Sequence, residues 1–230
     1  MNTCILIQGP TTYLNQIVEC YAKFPNVYWT TWIGDEKRKK LGNINMNYIE
    51  MPKERGSRNV NLQCISTIKG MELVKDKGFK YFIKIRSDII IRNFDKLLNH
   101  LEKNYNNKIS VICPQNLKYH AGIDSNGCML VDYITFGNYD NIYNLWNYYE
   151  ETPIAIPTEL KITYKYLDRK DAPPKEIYNK YFDGFLNYIV KNDIDLIWLS
   201  KKDPHNKMFH PNYPNCVYIN KYYGQDYYEY

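Results

Sequence analysis

The acidic residue with the clearest chemical context is Asp88, which follows the apolar run 81–85 after Arg86 and Ser87. Such a run is typical of a central β-strand, and it would deliver the carboxylate to the strand's carboxyl end. Mg²⁺ and Mn²⁺ bind one or two carboxylates together with phosphate oxygens of a substrate. Asp88 is therefore a candidate metal ligand, although it could instead cap the turn and pair with Arg86 or Arg92.

A second polar cluster consists of Gln8, Gly9, Pro10 and Thr11, directly after the first apolar run of the chain. Glycine lets backbone N–H groups approach a ligand, and the amino end of a following helix favours a phosphate. The same residues could also form an ordinary turn between a strand and a helix. The cluster alone thus permits phosphate binding without requiring it.

Two further acids are candidates for proton transfer. Asp132 is the only carboxylate in the otherwise uncharged run 127–138. We expect it to lie in a strand, where burial would raise its pKa and favour a role as a base or in acceptor binding. A core aspartate satisfied by backbone N–H groups is the alternative. Glu159 lies in the first turn of a predicted helix, where the helix dipole is itself a structural reason for an acid.

Strand and helix patterns alternate along the chain and would position these residues. The predicted strands are 4–7, 27–32, 81–85, 109–113, 128–136 and 195–200, and the predicted helices lie around 14–21, 59–77, 94–101, 142–149, 157–159 and 178–189. This alternation indicates an α/β fold with a mainly parallel central sheet and helices on both faces, whose ligands collect beyond the carboxyl ends of the strands. No repeat or composition shift divides the chain, so 1–230 is expected to be a single domain.

Composition narrows the class of protein. The net charge of +5 comes from interspersed residues, and the 24 tyrosines accompany abundant Asn, Lys and Ile, as an AT-rich genome produces; neither feature favours a nucleic-acid partner. The six cysteines form no Cys-x-x-Cys pair, which indicates reduced thiols and a cytoplasmic setting. No apolar run approaches the roughly 20 residues of a membrane span. A zinc site at His205, His210 and Cys216 is disfavoured because their spacing is wrong.

An ordered series of motifs resembles the WavE lipopolysaccharide-synthesis family of GT-A-type, glycosyltransferase-like proteins. The motifs are Ile7-Gln8-Gly9-Pro10, Thr30-Thr31-Trp32, Asn59-Val60-Asn61-Leu62-Gln63, Ser66-Thr67, Gly70, Lys84-Ile85-Arg86-Ser87-Asp88, Asp132-Tyr133-Ile134-Thr135-Phe136-Gly137 and, more weakly, Pro157-Thr158-Glu159. They span roughly residues 4–160. The resemblance implies a GT-A-like α/β domain and a role in glycan or lipopolysaccharide biosynthesis.

The resemblance also implies roles for individual residues. Gln8, Gly9 and Pro10 would line a nucleotide pocket, and Asp88 would correspond to the last acid of an Asp-x-Asp metal motif, which leads us to expect Mn²⁺ or Mg²⁺. Arg86 stands where the first acid belongs, so the site has one obvious metal carboxylate rather than two. Arg86 could itself neutralise a diphosphate.

Helical spacing adds Asn59 and Gln63 to the expected nucleotide site, because the two can share one helix face while Asn61 turns away. A capping role is the alternative for Asn59.

Together with these residue patterns, the resemblance implies a glycosyltransferase, of hexosyltransferase type, that uses a nucleoside-diphosphate sugar and a glycan, lipid-linked or protein acceptor. Asp132 is the preferred base and Glu159 the second acid. A cytoplasmic location is expected. Peripheral contact with a membrane is an alternative that the sequence leaves open, because the positive net charge of the protein would be attracted to an anionic lipid leaflet. A non-catalytic glycan-binding or assembly protein on the same fold is the alternative. A nucleic-acid-binding module rests on charge and tyrosines alone.

Overall fold

The computed structural model describes residues 2–36, 41–112, 130, 132–152, 156–171, 173–199, 209–210 and 213–218. The strands are β1 (Thr3–Gln8), β2 (Val27–Trp32), β3 (Ile44–Ile49), β4 (Tyr81–Arg86), β5 (Ile89–Ile91), β6 (Ile109–Val111), β7 (Ile134–Gly137), β8 (Phe182–Gly184), β9 (Leu196–Trp198), β10 (Phe209–His210) and β11 (Tyr213–Tyr218). The helices are α1 (Leu14–Tyr21), α2 (Val60–Val74), α3 (Phe94–Lys103), α4 (Tyr139–Trp146), α5 (Thr158–Tyr166), α6 (Lys175–Tyr181) and α7 (Leu186–Lys191).

The main sheet has seven strands in the order β3-β2-β1-β4-β7-β6-β8. Strands β3, β2, β1 and β4 are parallel neighbours, β7 is antiparallel to β4 and β6, and β8 is parallel to β6. Six strands thus run in one direction and β7 opposes them. The predicted α/β class with a mainly parallel sheet is confirmed.

A smaller antiparallel sheet has the order β10-β11-β9-β5. Its strand β5 follows β4 after a two-residue turn, and the main-chain N–H of Leu199 donates to the carbonyl of Asp88 at 2.8 Å. The small sheet therefore begins at the point where the central strand β4 ends.

Each face of the main sheet carries its own hydrophobic cluster, because side chains alternate along a strand. Ile5 and Ile7 of β1 pack with α1, α3 and α7, whereas Cys4 and Leu6 pack with α2, α4 and α5. Helices thus cover both faces, as predicted. No helix in the described ranges is long and apolar enough to cross a membrane.

Some predicted boundaries were wrong. The predicted helix 178–189 is broken by β8, which pairs with β6 and is followed by α7. Of the predicted strand 128–136, the described part becomes extended only at Ile134, and Asp132 lies in the preceding turn. Strand β3 was not predicted, because on this edge strand only Ile44 is buried and the apolar pattern is weak.

Candidate functional site

A cavity of about 620 Å³ lies beyond the carboxyl ends of β1, β2 and β4, which contribute Gln8, Trp32 and Arg86 to its wall. The ends of parallel strands meet at one edge of a sheet, so residues far apart in sequence converge there. The other lining residues are Gly9, Pro10, Thr12, Tyr13, Met51, Arg55, Arg58, Asn59, Leu62, Gln63, Ser87, Asp88, Asp132, Thr158 and Glu159. Nine of the ten residues singled out from the sequence therefore share one cavity.

Thr11 is the exception. Its side chain is buried, and its hydroxyl and main-chain N–H both bond to the carboxylate of Asp35, at 3.0 and 2.5 Å. These bonds hold the turn after β1 in place, and Thr11 does not line the cavity.

Gly9 holds the ends of β1 and β4 close together. Its φ is +118°, and a Cβ built on it would lie 2.6 Å from the hydroxyl oxygen of Ser87. The main-chain N–H of Ser87 donates to the carbonyl of Gln8 at 2.8 Å. Only glycine suits both the backbone conformation and this close approach.

Arg86 lies between two carboxylates. It donates from Nε to Asp88 Oδ1 at 3.0 Å and from Nη2 to Asp88 Oδ2 at 2.7 Å, and Nη1 reaches Asp132 Oδ1 at 3.0 Å. Burial opposes the charge of Arg86, but Asp132 and Asp88 hold its pKa well above the usual value. The guanidinium is thus fully charged and already paired.

The pKa of Asp132 shifts in the direction opposite to the one expected from the sequence. Burial raises the pKa of this carboxyl, but the positive charges of Arg86 and Lys84 outweigh burial, and the net shift is downward. The expected raised pKa was therefore wrong, because the sequence did not reveal a salt bridge across 46 positions. A carboxylate with a lowered pKa is a weaker proton acceptor.

Lys84 supports the site from within the sheet. Its ammonium donates to the carbonyl of Asp132 at 2.6 Å and lies 3.8 Å from the centre of the Trp146 ring. Its side chain is completely buried, and burial lowers its pKa to about 7. The sequence analysis gave Lys84 no role of its own, although a lysine between Ile83 and Ile85 in an otherwise apolar strand is a signal of a buried polar contact.

Glu159 enters the cavity at the start of α5. Burial and the nearby charge of Asp132 raise its pKa to about 7. Unlike Asp88 and Asp132, it forms no salt bridge with any described residue. Its protonation state can therefore change near neutral pH, which is the property required of a general acid or base.

Two arginines that the sequence analysis missed line the same cavity. Arg55 and Arg58 lie on the loop before α2, and Arg58 and Asn59 both adopt left-handed backbone conformations with φ of +52° and +61°. Asn59 makes no side-chain capping bond to α2. Asn59 and Gln63 both line the cavity, and Asn61 is buried away from it, but Asn59 precedes α2 in a left-handed conformation, so the two residues do not share a helix face as expected.

A buried ion pair anchors this loop. Lys161 Nζ lies 2.5 Å from Glu150 Oε1, and both side chains are about 1% exposed. The Glu150 carboxylate also accepts from the main-chain N–H and the hydroxyl of Ser57, and Lys161 contacts that hydroxyl. A loop with strained backbone persists only when its surroundings hold it, and this pair provides that support.

The donor set does not fit a divalent cation in this arrangement. Asp88 Oδ1 accepts from Arg86, and Oδ2 accepts from Arg86 and from the indole N–H of Trp198 at 2.8 Å. The described residues contain no group of three or more His, Cys, Asp or Glu side chains able to hold a metal ion. The metal role expected for Asp88 therefore finds no support in the geometry.

Comparisons with known proteins found no matching family model and no matching curated protein. Among solved structures, a glycosyltransferase involved in glycosylation of the major capsid of PBCV-1 is 15% identical, with 80% of this chain and 82% of that chain covered and a TM-score of 0.47. A 4-diphosphocytidyl-2C-methyl-D-erythritol synthase from Anaerococcus prevotii is 13% identical, with 74% and 83% covered and a TM-score of 0.43. Protein A197 from STIV is 11% identical, with 92% and 100% covered and a TM-score of 0.38. Membership of the WavE family stays a prediction from the sequence motifs.

Proposed function

We propose that this protein transfers a hexosyl group from a nucleoside-diphosphate sugar to a hydroxyl group of a glycan, lipid-linked or protein acceptor. The observation that carries the proposal is the meeting of Arg55, Arg58 and Glu159 in one cavity of about 620 Å³ at the carboxyl edge of a mainly parallel sheet. Sites for small ligands commonly have volumes of about 300–1,000 Å³.

The chemistry of transfer matches this arrangement. A departing nucleoside diphosphate carries negative charge, which guanidinium groups stabilise through paired hydrogen bonds. An acceptor hydroxyl loses its proton as the new C–O bond forms, and inversion at the anomeric carbon requires a base for that proton. We assign this role to Glu159 because its pKa of about 7 leaves a substantial deprotonated fraction at neutral pH.

The strand ends supply the remaining contacts. Gln8, Gly9 and Pro10 at the end of β1 and Asn59 and Gln63 of the α2 region all line the cavity, where they would contact the nucleotide. The amide oxygen of Gln63 is buried and has no hydrogen-bond partner in the described part of the chain. A donor group on a ligand would satisfy it, since a buried acceptor left unpaired is costly.

A non-catalytic glycan-binding or assembly protein is the second candidate. It is favoured by one observation, the pairing of Asp88 with Arg86 and Trp198, which occupies the carboxylate expected to bind the metal. The two candidates differ in turnover and need not differ in ligand binding.

The test is a thermal-shift screen with UDP, GDP, CDP, TDP and ADP, followed by assays for nucleoside-diphosphate release from the sugar conjugates of the best ligand. A ligand at 100 times its dissociation constant stabilises the native state by about 2.7 kcal/mol. We expect one nucleoside diphosphate to stabilise the protein and its sugar conjugate to be hydrolysed or transferred. Binding without turnover would favour the second candidate, and stabilisation by oligonucleotides alone would contradict both.

A further inference from the structure

We infer that the cavity binds the diphosphate of its ligand without a divalent cation, through the guanidinium groups of Arg55 and Arg58. This inference rests on the proposed function, because it names the groups that hold the donor substrate. It concerns two residues that the sequence motifs did not indicate.

The first step is that Asp88 is unavailable to a metal. Three N–H groups, two from Arg86 and one from Trp198, occupy its two oxygens at distances of 2.7–3.0 Å. A cation at Asp88 would have to displace these donors and would then lie beside the positive charge of Arg86. Both changes oppose metal binding.

The second step is that the positive charge of Arg86 is already balanced. Its guanidinium is shared between Asp88 and Asp132, and the buried Lys84 beside Asp132 offsets the remaining negative charge only while it is protonated. An incoming diphosphate next to this group therefore gains no net attraction unless positive charge is supplied from elsewhere in the cavity. Glu159 adds repulsion whenever it is ionised.

The third step is that Arg55 and Arg58 supply this charge. Both are exposed and line the cavity, and neither forms a salt bridge with a described residue. The side-chain contact of Arg55 is a long one, 3.7 Å from Nη2 to the sulfur of Met51. Two guanidinium groups that form no salt bridge within the described part of the chain, three positions apart, can each bind phosphate oxygens in the bidentate manner typical of arginine.

The loop that carries them is already ordered. Ser57 lies between the two arginines and is held by the buried Glu150–Lys161 pair. A preorganised loop loses less conformational entropy on binding than a free one. The backbone that carries the two arginines is thus anchored beside the cavity that they line.

The experiment is isothermal titration of the full chain with UDP or with whichever nucleoside diphosphate gives the largest thermal shift. One series is run after exhaustive treatment with EDTA and one with added Mn²⁺. We expect dissociation constants that agree within about twofold between the two series, which is a difference too small to require a new ionic contact. The variants Arg55→Gln and Arg58→Gln should each weaken binding by about 10- to 100-fold, as expected for the loss of a charged hydrogen-bonding group.

The control is Lys53→Gln, which removes an exposed positive charge from the same loop but outside the cavity, and which should leave the affinity unchanged. Binding of the corresponding nucleoside, which lacks phosphate, should be equal in all variants. If Arg58→Gln unfolds, Arg58→Lys keeps the charge but loses the bidentate geometry and should give an intermediate loss.

Binding that disappears in EDTA and returns with Mn²⁺ would overturn this inference and leave the proposed function standing. Unchanged affinity for the nucleoside diphosphate in both arginine variants would also overturn this inference and leave the proposed function standing. Failure of every nucleoside diphosphate to bind in either buffer would overturn the proposed function and this inference together.

Discussion

Arg86 and Asp88 face each other through two parallel hydrogen bonds, Nε to Oδ1 at 3.0 Å and Nη2 to Oδ2 at 2.7 Å. The two residues lie on either side of Ser87, at the end of β4, and the indole of Trp198 from β9 fixes the same carboxylate. The main sheet and the small sheet are thus joined through the residue that the sequence motifs assign to a metal. This contact gives Asp88 a structural role that can be separated from a role in ligand binding.

We predict that Asp88→Asn lowers the free energy of unfolding by about 1–3 kcal/mol, because the charged bonds to Arg86 become neutral ones. Diphosphate binding in EDTA should be kept or become tighter, since one negative charge leaves the cavity. Urea denaturation and titration of the same variant provide the measurement. Parent-like stability with lost nucleotide binding would instead show that Asp88 acts on the ligand.

The pH dependence of turnover should follow Glu159. We predict that Glu159→Gln reduces turnover by about 100- to 10,000-fold while donor affinity is kept or becomes tighter, as for loss of a general base whose charge opposes the diphosphate. In the parent protein, kcat/KM should fall as the pH drops below about 7, because the base becomes protonated. A profile that is flat between pH 5 and 8 would remove Glu159 from the mechanism.

The same residue has a consequence for stability. Its pKa is raised in the folded state, so between its ordinary pKa and about 7 the folded state binds more protons than the unfolded state. Stability should therefore decrease as the pH rises through this range. Glu159→Gln should abolish that part of the pH dependence in melting curves, while Glu176→Gln, at an exposed helical glutamate, serves as the control.

Asp132 is predicted to behave in the opposite sense. Its folded-state pKa is lowered by Arg86 and Lys84 against the effect of burial, so it contributes stability above its unfolded pKa and loses that contribution as the pH falls. Asp132→Asn should cost about 1–3 kcal/mol at pH 7 and reduce turnover much less than Glu159→Gln does. If Asp132→Asn instead keeps the stability of the parent protein and loses about 100-fold or more in turnover, Asp132 rather than Glu159 is the general base.

The Glu150–Lys161 pair is predicted to be the most sensitive point of the α2 loop. Glu150→Gln or Lys161→Met alone leaves one charge buried without its partner, which typically costs about 3–5 kcal/mol. The double variant should cost less than the sum of the two, and a double-mutant cycle in urea measures the difference. Strict additivity would mean that the two side chains do not interact in solution.

Some of the features behind these predictions could be predicted from the sequence, and others could not. The alternation of apolar strands and amphipathic helices predicted β1, β2, β4 and the helices on each face, because burial imposes a period on sequence. It also predicted that Gln8, Arg86 and Asp88 converge, since parallel strands end at one edge. Strand β3 was missed because hydrogen bonding to β2, rather than burial, makes it extended.

The rest of the site depends on contacts between distant parts of the chain. Arg55 and Arg58 lie in a loop without periodicity, and their position is set through Glu150, 93 positions from Ser57. The pKa of Asp132 likewise depends on Arg86 and could not be inferred from its apolar neighbours. Local patterns therefore predicted which elements surround the cavity, whereas the charge state of its walls required the three-dimensional structure.

The separation of the hydrophobic residues into two clusters affects how mutations combine. Ile17 of α1 and Ile162 of α5, for example, belong to different hydrophobic clusters, one on each face of the main sheet. Substitutions at sites without shared partners usually combine within about 0.3–0.5 kcal/mol of additivity. Substitutions on the α1 face should thus combine almost additively with substitutions on the α5 face, so that each face can accumulate sequence change nearly independently of the other.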